Sequence, residues 1–206
     1  MAGEFVVTAA VEGIVDEAVV RTLLNHVGVT PGDVHGKNGK AHLCQRIPGY
    51  NNAARHAPWI VLVDLDRDAD CAPPLRRAWL SHPAPYMCFR VAVRAVEAWL
   101  LADGERIASF LRVARQRIPT DPEGLENPKE TMVNLALQSR RRDVREDMVP
   151  RPGSGRSVGP AYSSRLIEFA ANYWRPQVAV EQCDSLRRAT ECLTRLAREW
   201  SSRKNA

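Results

Sequence analysis

The chain has 206 residues, of which 45% are hydrophobic and 26% charged, a composition typical of a folded globular protein. No stretch approaches the ~18 consecutive apolar residues that a membrane-spanning helix needs, so no membrane association is expected. Five cysteines without tight spacing argue against a disulfide framework and predict reduced thiols in a cytoplasmic protein. The net charge of +5 lies in the second half, because residues 1–100 carry ten basic and ten acidic side chains.

The first half of the chain alternates between short apolar runs and segments with helical spacing. Strands are predicted at 4–11, around Val34, at 59–63 and at 86–93. Helices are predicted at 15–27, from about 40 to 46 or 47, in a second short segment through 55, and at 73–80. Thr30–Asp33 is predicted to be a turn. Strands that alternate with helices indicate a parallel sheet.

From Arg94 onward the hydrophobic pattern is helical. Helices are predicted from Arg94 to about 101, over 104–117, from about 128, over 162–173 and over 184–200. A stretch rich in Gly, Pro and Arg at about 140–161 is predicted to be a mobile loop. We therefore predict an α/β core over 1–103, with about four parallel strands flanked by helices, and a helical extension over 104–206 that packs on this core.

Two acidic motifs stand where predicted strands end. Glu12 and Asp16 follow the first strand, and Asp64 and Asp66 follow the strand at 59–63. Ligands of α/β sheets bind outside the carboxyl ends of parallel strands. Carboxylates delivered to that edge would share a hard cation, for which Mg²⁺ or Mn²⁺ suits the oxygen ligands. Asp68 and Asp70 are interpreted as solvated loop charges.

Alternatives remain open for three of the acids. Asp16 and Glu17 begin a helix, where carboxylates are also favoured by the helix dipole. Glu97 lies among apolar residues and is either a functional carboxylate or one half of a surface ion pair with Arg94, three residues earlier.

Several basic residues are predicted to contact phosphate. Lys37 and Lys40 lie in a glycine loop that lacks the spacing of a phosphate-binding P-loop, so they would act as point charges. The other predicted contacts are Arg94, Lys129, Arg140, Arg141 and Arg142. Phosphate contacts supply most non-specific affinity for nucleic acid, although a solvated arginine-rich surface explains the charge equally well.

At these residues the chain resembles proteins of the Toprim fold, and more narrowly the Toprim-like domain-of-unknown-function family 4276. The Toprim pattern places Glu-Gly after the first strand and Asp-x-Asp after a later one, which here are Glu12-Gly13 and Asp64-x-Asp66. The matching segments cover most of the chain: Val11–Gly13 with Asp16-Glu17, Gly36–Lys40, Val63–Asp66, Arg94–Asp103, Asn127–Glu130, Val158–Ser163 and Asp184–Arg188.

The resemblance implies a Toprim-like, Rossmannoid parallel sheet of about four strands and a site for Mg²⁺ or Mn²⁺. The superfamily includes topoisomerases, primases and overcoming-lysogenization-defect nucleases. The last group pairs a first-turn glutamate with an acid four residues later, as Glu12 and Asp16 are spaced here. Some relatives act in anti-phage defence beside an ATPase partner protein.

The leading hypothesis is cleavage of phosphodiester bonds in DNA or RNA. Asp64 and Asp66 would hold one ion, Glu12 would be a shared ligand or a base, and Asp16 would help to hold a second ion. Glu97 is predicted to be a further catalytic residue. The alternatives are a non-catalytic binding or sensor subunit of a multi-protein, ATPase-associated complex and a phosphatase of small substrates. A homodimer is compatible with the sequence.

Overall fold

The computed structural model of the protein describes residues 5–204, and side chains up to residue 202. Residue 4, at the start of the predicted first strand, lies outside the described residues. So do residues 1–3 of the predicted α/β core and residues 205–206 of the predicted helical extension. None of the helices within 5–204 is long and apolar enough to cross a membrane.

Four parallel strands form one sheet, which confirms the predicted α/β fold. The strands are β1 (Val6–Val11), β2 (Thr30–Gly36), β3 (Trp59–Asp64) and β4 (Met87–Ala92), in the spatial order β2-β1-β3-β4. The chain winds outward from β1 to β2 on one side and from β3 to β4 on the other. The switch point between β1 and β3 is where sheets of this kind form a crevice for ligands.

Ten helices are assigned over the described residues. They are α1 (Ile14–His26), α2 (Lys40–Ala53), α3 (Ala72–Trp79), α4 (Val96–Ala102), α5 (Gly104–Leu111), α6 (Pro128–Leu137), α7 (Arg142–Met148), α8 (Tyr162–Asn172), α9 (Pro176–Ala179) and α10 (Asp184–Lys204). A short 3₁₀ turn occupies Arg115–Arg117.

The two faces of the sheet are covered by different helices. On one face, side chains such as Ala10, Val61 and Phe89 pack with residues of α2 and α3. On the other, strand side chains such as Ile60 and Leu62 share a core with α1, α4, α8 and α10. The helix α8 contacts α1, and α10 contacts β4. The C-terminal helices α8 and α10 therefore belong to the layer that covers this face of the sheet.

Two local predictions in the first half are wrong. Residues 30–33 belong to β2 rather than to a turn, because pairing with β1 continues across Pro31 with an irregular register between Val7 and Ala9. The helix α2 is also one helix of 14 residues that contains Pro48, where two short helices were predicted. Its buried Leu43 and Ile47 pack against the sheet, and this burial outweighs the lost hydrogen bond at the proline.

Two boundaries differ in the second half. The helix α5 ends at Leu111 rather than 117, because Arg112 has a left-handed conformation with φ 55° that stops the helix. The predicted mobile loop at 140–161 contains α7, whose Val144 and Met148 are buried in the core and hold it in place. The loop prediction is therefore wrong over Arg142–Met148.

Candidate functional site

Four carboxylates from separate elements lie at the crevice between β1 and β3. Glu12 follows β1, Asp16 lies in the first turn of α1, Asp64 ends β3 and Glu97 lies in the first turn of α4. The sequence reasoning named all four, and the structure brings them together. We call this set the carboxylate cluster.

Backbone hydrogen bonds fix two members of the carboxylate cluster. The Asp64 N–H donates to Glu12 Oε1 at 2.8 Å, and the Val96 N–H donates to Asp64 Oδ1 at 3.0 Å. Each bond joins neighbouring loops at the carboxyl ends of strands. The orientations of Glu12 and Asp64 are therefore set by the backbone of the fold.

Burial raises the pKa of every carboxyl in the cluster, and repulsion from neighbouring carboxylates adds to it. Burial raises the pKa of Glu12 to about 7, against the opposing hydrogen bond from Asp64 and the charge of Lys40. Burial, then the charges of Glu97 and Glu12, raises the pKa of Asp16 to about 7. The pKa of Asp64 is raised by burial and by Asp16, and that of Glu97 mainly by burial.

Asp16 is the least satisfied member of the cluster. Its side chain is only 7% exposed, and its Oδ1 is buried with no hydrogen-bond partner among the residues described. A Cβ added to Gly13 would lie 2.9 Å from Asp16 Oδ2, so the small residue at the turn leaves room for this carboxylate. A buried acceptor oxygen without a donor is destabilising unless a proton or a cation approaches it.

Glu97 is buried and is not part of a surface ion pair. It is 5% exposed, and the buried Tyr162 hydroxyl of α8 donates to its Oε1 at 3.2 Å. The Arg94 side chain instead donates to the carbonyl oxygens of Asp66 at 3.0 Å and Ala69 at 3.4 Å. The ion-pair interpretation of Arg94 and Glu97 is therefore wrong.

Tyr162 was missed as a site residue. It lies 65 residues from Glu97 in the sequence, and Lys129 Nζ lies 5.8 Å from the centroid of its ring. The charge of Lys129 also lowers the pKa of Glu97 in opposition to burial. The only signal in the sequence was the Val158–Ser163 segment, which belongs to the family resemblance but carries no chemistry by itself.

The side chains of Asp66 and Asp68 both bind a lysine. Lys40 Nζ lies 2.8 Å from Asp66 Oδ2 and 2.6 Å from Asp68 Oδ2. The expectation that Asp68 is merely solvated is thus incomplete. Lys40 was predicted to contact phosphate, and in this structure its charge is shared by two carboxylates.

An open cleft of about 710 Å³ is lined by three members of the carboxylate cluster, Asp16, Asp64 and Glu97. Its lining includes Lys37, Asp66 and Arg94, which all have positive φ, at 67°, 50° and 60°. Such conformations are uncommon for residues with side chains and concentrate at functional sites. Lys37 also pairs with Glu17 at 2.9 Å, which assigns Glu17 to the helix surface rather than to the cluster.

The three predicted arginine contacts at 140–142 do not line this cleft. Arg140, Arg141 and Arg142 lie on the surface before or at the start of α7. Arg141 pairs with Asp143, and Arg142 pairs with Glu146 at 2.7 Å. Of the basic residues predicted to contact phosphate, Lys37, Arg94 and Lys129 line the cleft.

The carboxylate cluster suits a hard cation by its donor chemistry. Carboxylate oxygens are the ligands that Mg²⁺ and Mn²⁺ prefer, and the buried Oδ1 of Asp16 lacks a partner within the described residues. In the part of the chain that the structure describes, no three His, Cys, Asp or Glu side chains already stand as a closed set of ligands.

The fold and the cleft define an α/β protein of Rossmann-like topology with buried carboxylates at its topological switch point. Comparisons of the chain with protein-family models, with curated proteins and with solved structures found no match. The resemblance to the Toprim-like family therefore stays a prediction.

Proposed function

We propose that the carboxylate cluster binds Mg²⁺ or Mn²⁺ and that the protein cleaves phosphodiester bonds in nucleic acid. The observation that carries this proposal is the convergence of four carboxylates with raised pKa values at the switch point of the sheet. Like charges at such close quarters persist near neutral pH only when protons or cations offset them. A structural role alone gives no reason to gather four acids there.

Asp16, Asp64 and Glu97 are the residues that would hold the ion, together with Glu12. Asp16 offers an oxygen with no other partner, and Asp64 is fixed by its bond from Val96. For Asp66 to act as the predicted metal ligand, its carboxylate would have to break its ion pair with Lys40. The chemistry that a bound Mg²⁺ or Mn²⁺ supplies is Lewis-acid stabilisation of charge on a phosphoryl oxygen.

Glu12 suits the role of a proton acceptor. Its pKa of about 7 lies near physiological pH, where a general base combines availability with sufficient basicity. The bond from the Asp64 N–H occupies Oε1 and leaves Oε2 for the proton of an attacking water. Glu12 would thus be held in place by one oxygen and act with the other.

Basic residues around the cleft would bind the substrate backbone. Lys37, Arg67, Arg94 and Lys129 all line it. Arg67 is exposed and makes no ion pair with any carboxylate of the described chain. Arg140, Arg141 and Arg142 would contact nucleic acid only beyond the cleft. Both DNA and RNA present the phosphates that such residues bind.

The test is cleavage of labelled plasmid, single-stranded DNA and tRNA by the purified protein with Mn²⁺ or Mg²⁺. We expect Asp64→Asn and Glu97→Gln to reduce the cleavage rate at least ~100-fold, on the scale of losing a group that stabilises transition-state charge. The matched control is Asp70→Asn, because Asp70 is an exposed carboxylate near Asp64 that lies outside the cleft. Cleavage that survives chelation, or is equal in Asp64→Asn, would refute the proposal.

A second candidate is a non-catalytic binding or sensor subunit, for example beside an ATPase partner. The observation that favours it is the pairing of Lys40 with Asp66 and Asp68, since this removes a predicted catalytic carboxylate and a predicted phosphate contact together. Metal binding measured by calorimetry, without cleavage of any of the three substrates, would support this candidate. Either of the two candidate functions is compatible with a role in anti-phage defence.

A further inference from the structure

A second cleft, of about 480 Å³, opens at the free edge of the sheet. It is bounded by α3, by the edge strand β4 and by the start of α10, and it shares no lining residue with the cleft over the carboxylates. Its volume is within the range of roughly 300–1,000 Å³ that is typical of small-molecule sites. We call it the arginine cleft, after Arg76, Arg77, Arg90 and Arg188 in its lining.

The arginine cleft holds an excess of positive charge. Across the described chain no carboxylate forms an ion pair with Arg76, Arg77 or Arg90. The two acids in the lining are already engaged. Asp184 pairs with Arg187 and Arg188. Arg76 and Arg77 therefore remain available to a ligand, while Arg90 has no carboxylate partner but interacts with the thiols of Cys88 and Cys192.

Glu123, the other acid, is bound by the protein itself. The Asp184 and Ser185 N–H groups, at the start of α10, donate to its carboxylate at 2.9 and 3.0 Å. The Ser185 hydroxyl bonds to the same carboxylate. Glu123 thus caps α10 and does not reach the free arginines as an ion-pair partner.

Arg90 lines this cleft. It projects from β4, and its Nε is buried with no hydrogen-bond partner among the residues described. A buried donor without an acceptor is destabilising, and an anion in the cleft would satisfy it. The planar guanidinium matches phosphate oxygens in a fixed fork, and the strand backbone holds this one in place.

The remaining wall is apolar. Phe89 is 3% exposed, and Leu80, Pro73 and Val91 complete this side. Guanidinium groups next to an apolar wall suit a ligand with an anionic group on a compact ring or hydrocarbon body. A bare inorganic ion would use the arginines and leave the wall uncovered.

We infer that the arginine cleft binds a phosphomonoester carried on a compact organic body, such as a nucleotide or the phosphorylated end of a nucleic acid strand. A terminal phosphate carries nearly two negative charges at neutral pH, which three guanidinium groups without carboxylate partners would balance. This inference does not depend on metal binding or on cleavage at the carboxylate cluster.

The experiment is calorimetric titration of the full chain with adenosine monophosphate in EDTA, beside adenosine and inorganic phosphate. We expect one adenosine monophosphate per chain, and no binding of adenosine. Arg90→Gln and Arg77→Gln should each weaken binding about tenfold or more, on the scale of a lost charge-assisted hydrogen bond. Arg77 is exposed, so its variant serves even if Arg90→Gln does not fold.

Two controls separate this site from others. Arg55→Gln removes an exposed arginine after α2, outside both clefts, and should bind as the wild type does. Asp64→Asn should also bind normally, so loss of the proposed nuclease function and loss of this site would be seen separately. Binding that is unchanged in both Arg90→Gln and Arg77→Gln would overturn the inference.

Oligonucleotides distinguish the two sources of the phosphate. A 5′-phosphorylated tetranucleotide that binds more tightly than adenosine monophosphate identifies a strand end, and the reverse order identifies a free nucleotide. Equal binding of the 5′-phosphorylated and 5′-hydroxyl tetranucleotides, or no binding of any phosphorylated probe, would overturn the inference.

Discussion

The Asp64 N–H donates a hydrogen bond of 2.8 Å to Glu12 Oε1, which joins the loop after β1 to the end of β3. Glu12 is thus both a structural acceptor and a member of the carboxylate cluster. Its two roles can be separated, because glutamine keeps the acceptor oxygen and loses the charge.

We expect Glu12→Gln to keep the free energy of unfolding within about 1 kcal/mol of wild type, since the bond from Asp64 survives. Glu12→Ala should lose about 1–2 kcal/mol, because it leaves the Asp64 N–H without its acceptor. Both variants should lose metal-dependent cleavage. Urea unfolding and cleavage assays measure the two effects, and equal stability of the two variants would contradict the structural role.

The carboxylate cluster predicts that the metal-free protein loses stability as the pH rises. The pKa of Asp16 is about 7 in the fold and near 4 in an unfolded chain, so the folded state retains a proton that the unfolded state releases. The resulting stability is fully present below about pH 4 and is lost by about pH 7. Added Mg²⁺ should restore stability at pH 8 by mass action.

Asp16→Asn should reduce this pH-dependent loss of stability by about 2 kcal/mol. A shift of one pKa unit is worth about 1.4 kcal/mol, and part of the shift of Asp16 is shared with Glu12 and Glu97, which repel it. The measurement is urea unfolding in EDTA at pH 5 and pH 8 for the wild type and the variant. The difference between the two proteins cancels the other titrating groups. An identical pH dependence of stability in the wild type and in Asp16→Asn would contradict the proposed repulsion between Asp16 and its neighbouring carboxylates.

Tyr162→Phe should lower stability by about 1 kcal/mol and weaken metal binding. The change removes the only side-chain donor that the described structure provides to Glu97 Oε1 and raises the pKa of Glu97 further. The matched control is Tyr173→Phe, because Tyr173 is 45% exposed and contacts Phe110 through its ring alone. Unfolding by urea and calorimetry with Mn²⁺ check both effects; equal behaviour of the two variants would exclude the role of Tyr162.

Arg175→Met should destabilise the protein by about 3 kcal/mol. Asp103 is fully buried, and the Arg175 side chain donates to both of its oxygens, at 2.9 and 2.7 Å. Removing one partner of a buried ion pair leaves an uncompensated charge. The control, Arg187→Met, breaks only exposed pairs with Asp184 and Glu191, so its loss of stability should be much smaller. Urea midpoints that fall equally would contradict this distinction.

The sequence predicted the sheet well where one strong signal dominated. The apolar run at 59–63 is so short that it indicates only a buried strand, and β3 spans Trp59–Asp64. The prediction failed at β2, because Pro31, Gly32 and Asp33 have the chemistry of a turn while their backbone pairs with β1. Pairing with a distant strand is a tertiary effect that local propensity does not contain.

The candidate site was predictable as far as strand ends define it. Glu12 and Asp64 meet because parallel strands place their carboxyl ends together. Asp66 lines the same cleft, but nothing local in the sequence shows that Lys40 binds it. Tyr162 reaches Glu97 only because α8 packs on α1, a contact between helices more than a hundred residues apart.

The packing of α8 and α10 on the face that α1 covers has a consequence for synthesis on the ribosome. All four strands and all four clustered carboxylates are translated by residue 97, while the helices that complete that layer are translated after residue 160. The nascent sheet therefore exposes apolar surface at least while residues 98–161 are being synthesised. Tyr162, which donates a hydrogen bond to Glu97, is among the residues translated late. A chain that terminates before it would contain the clustered carboxylates without this contact.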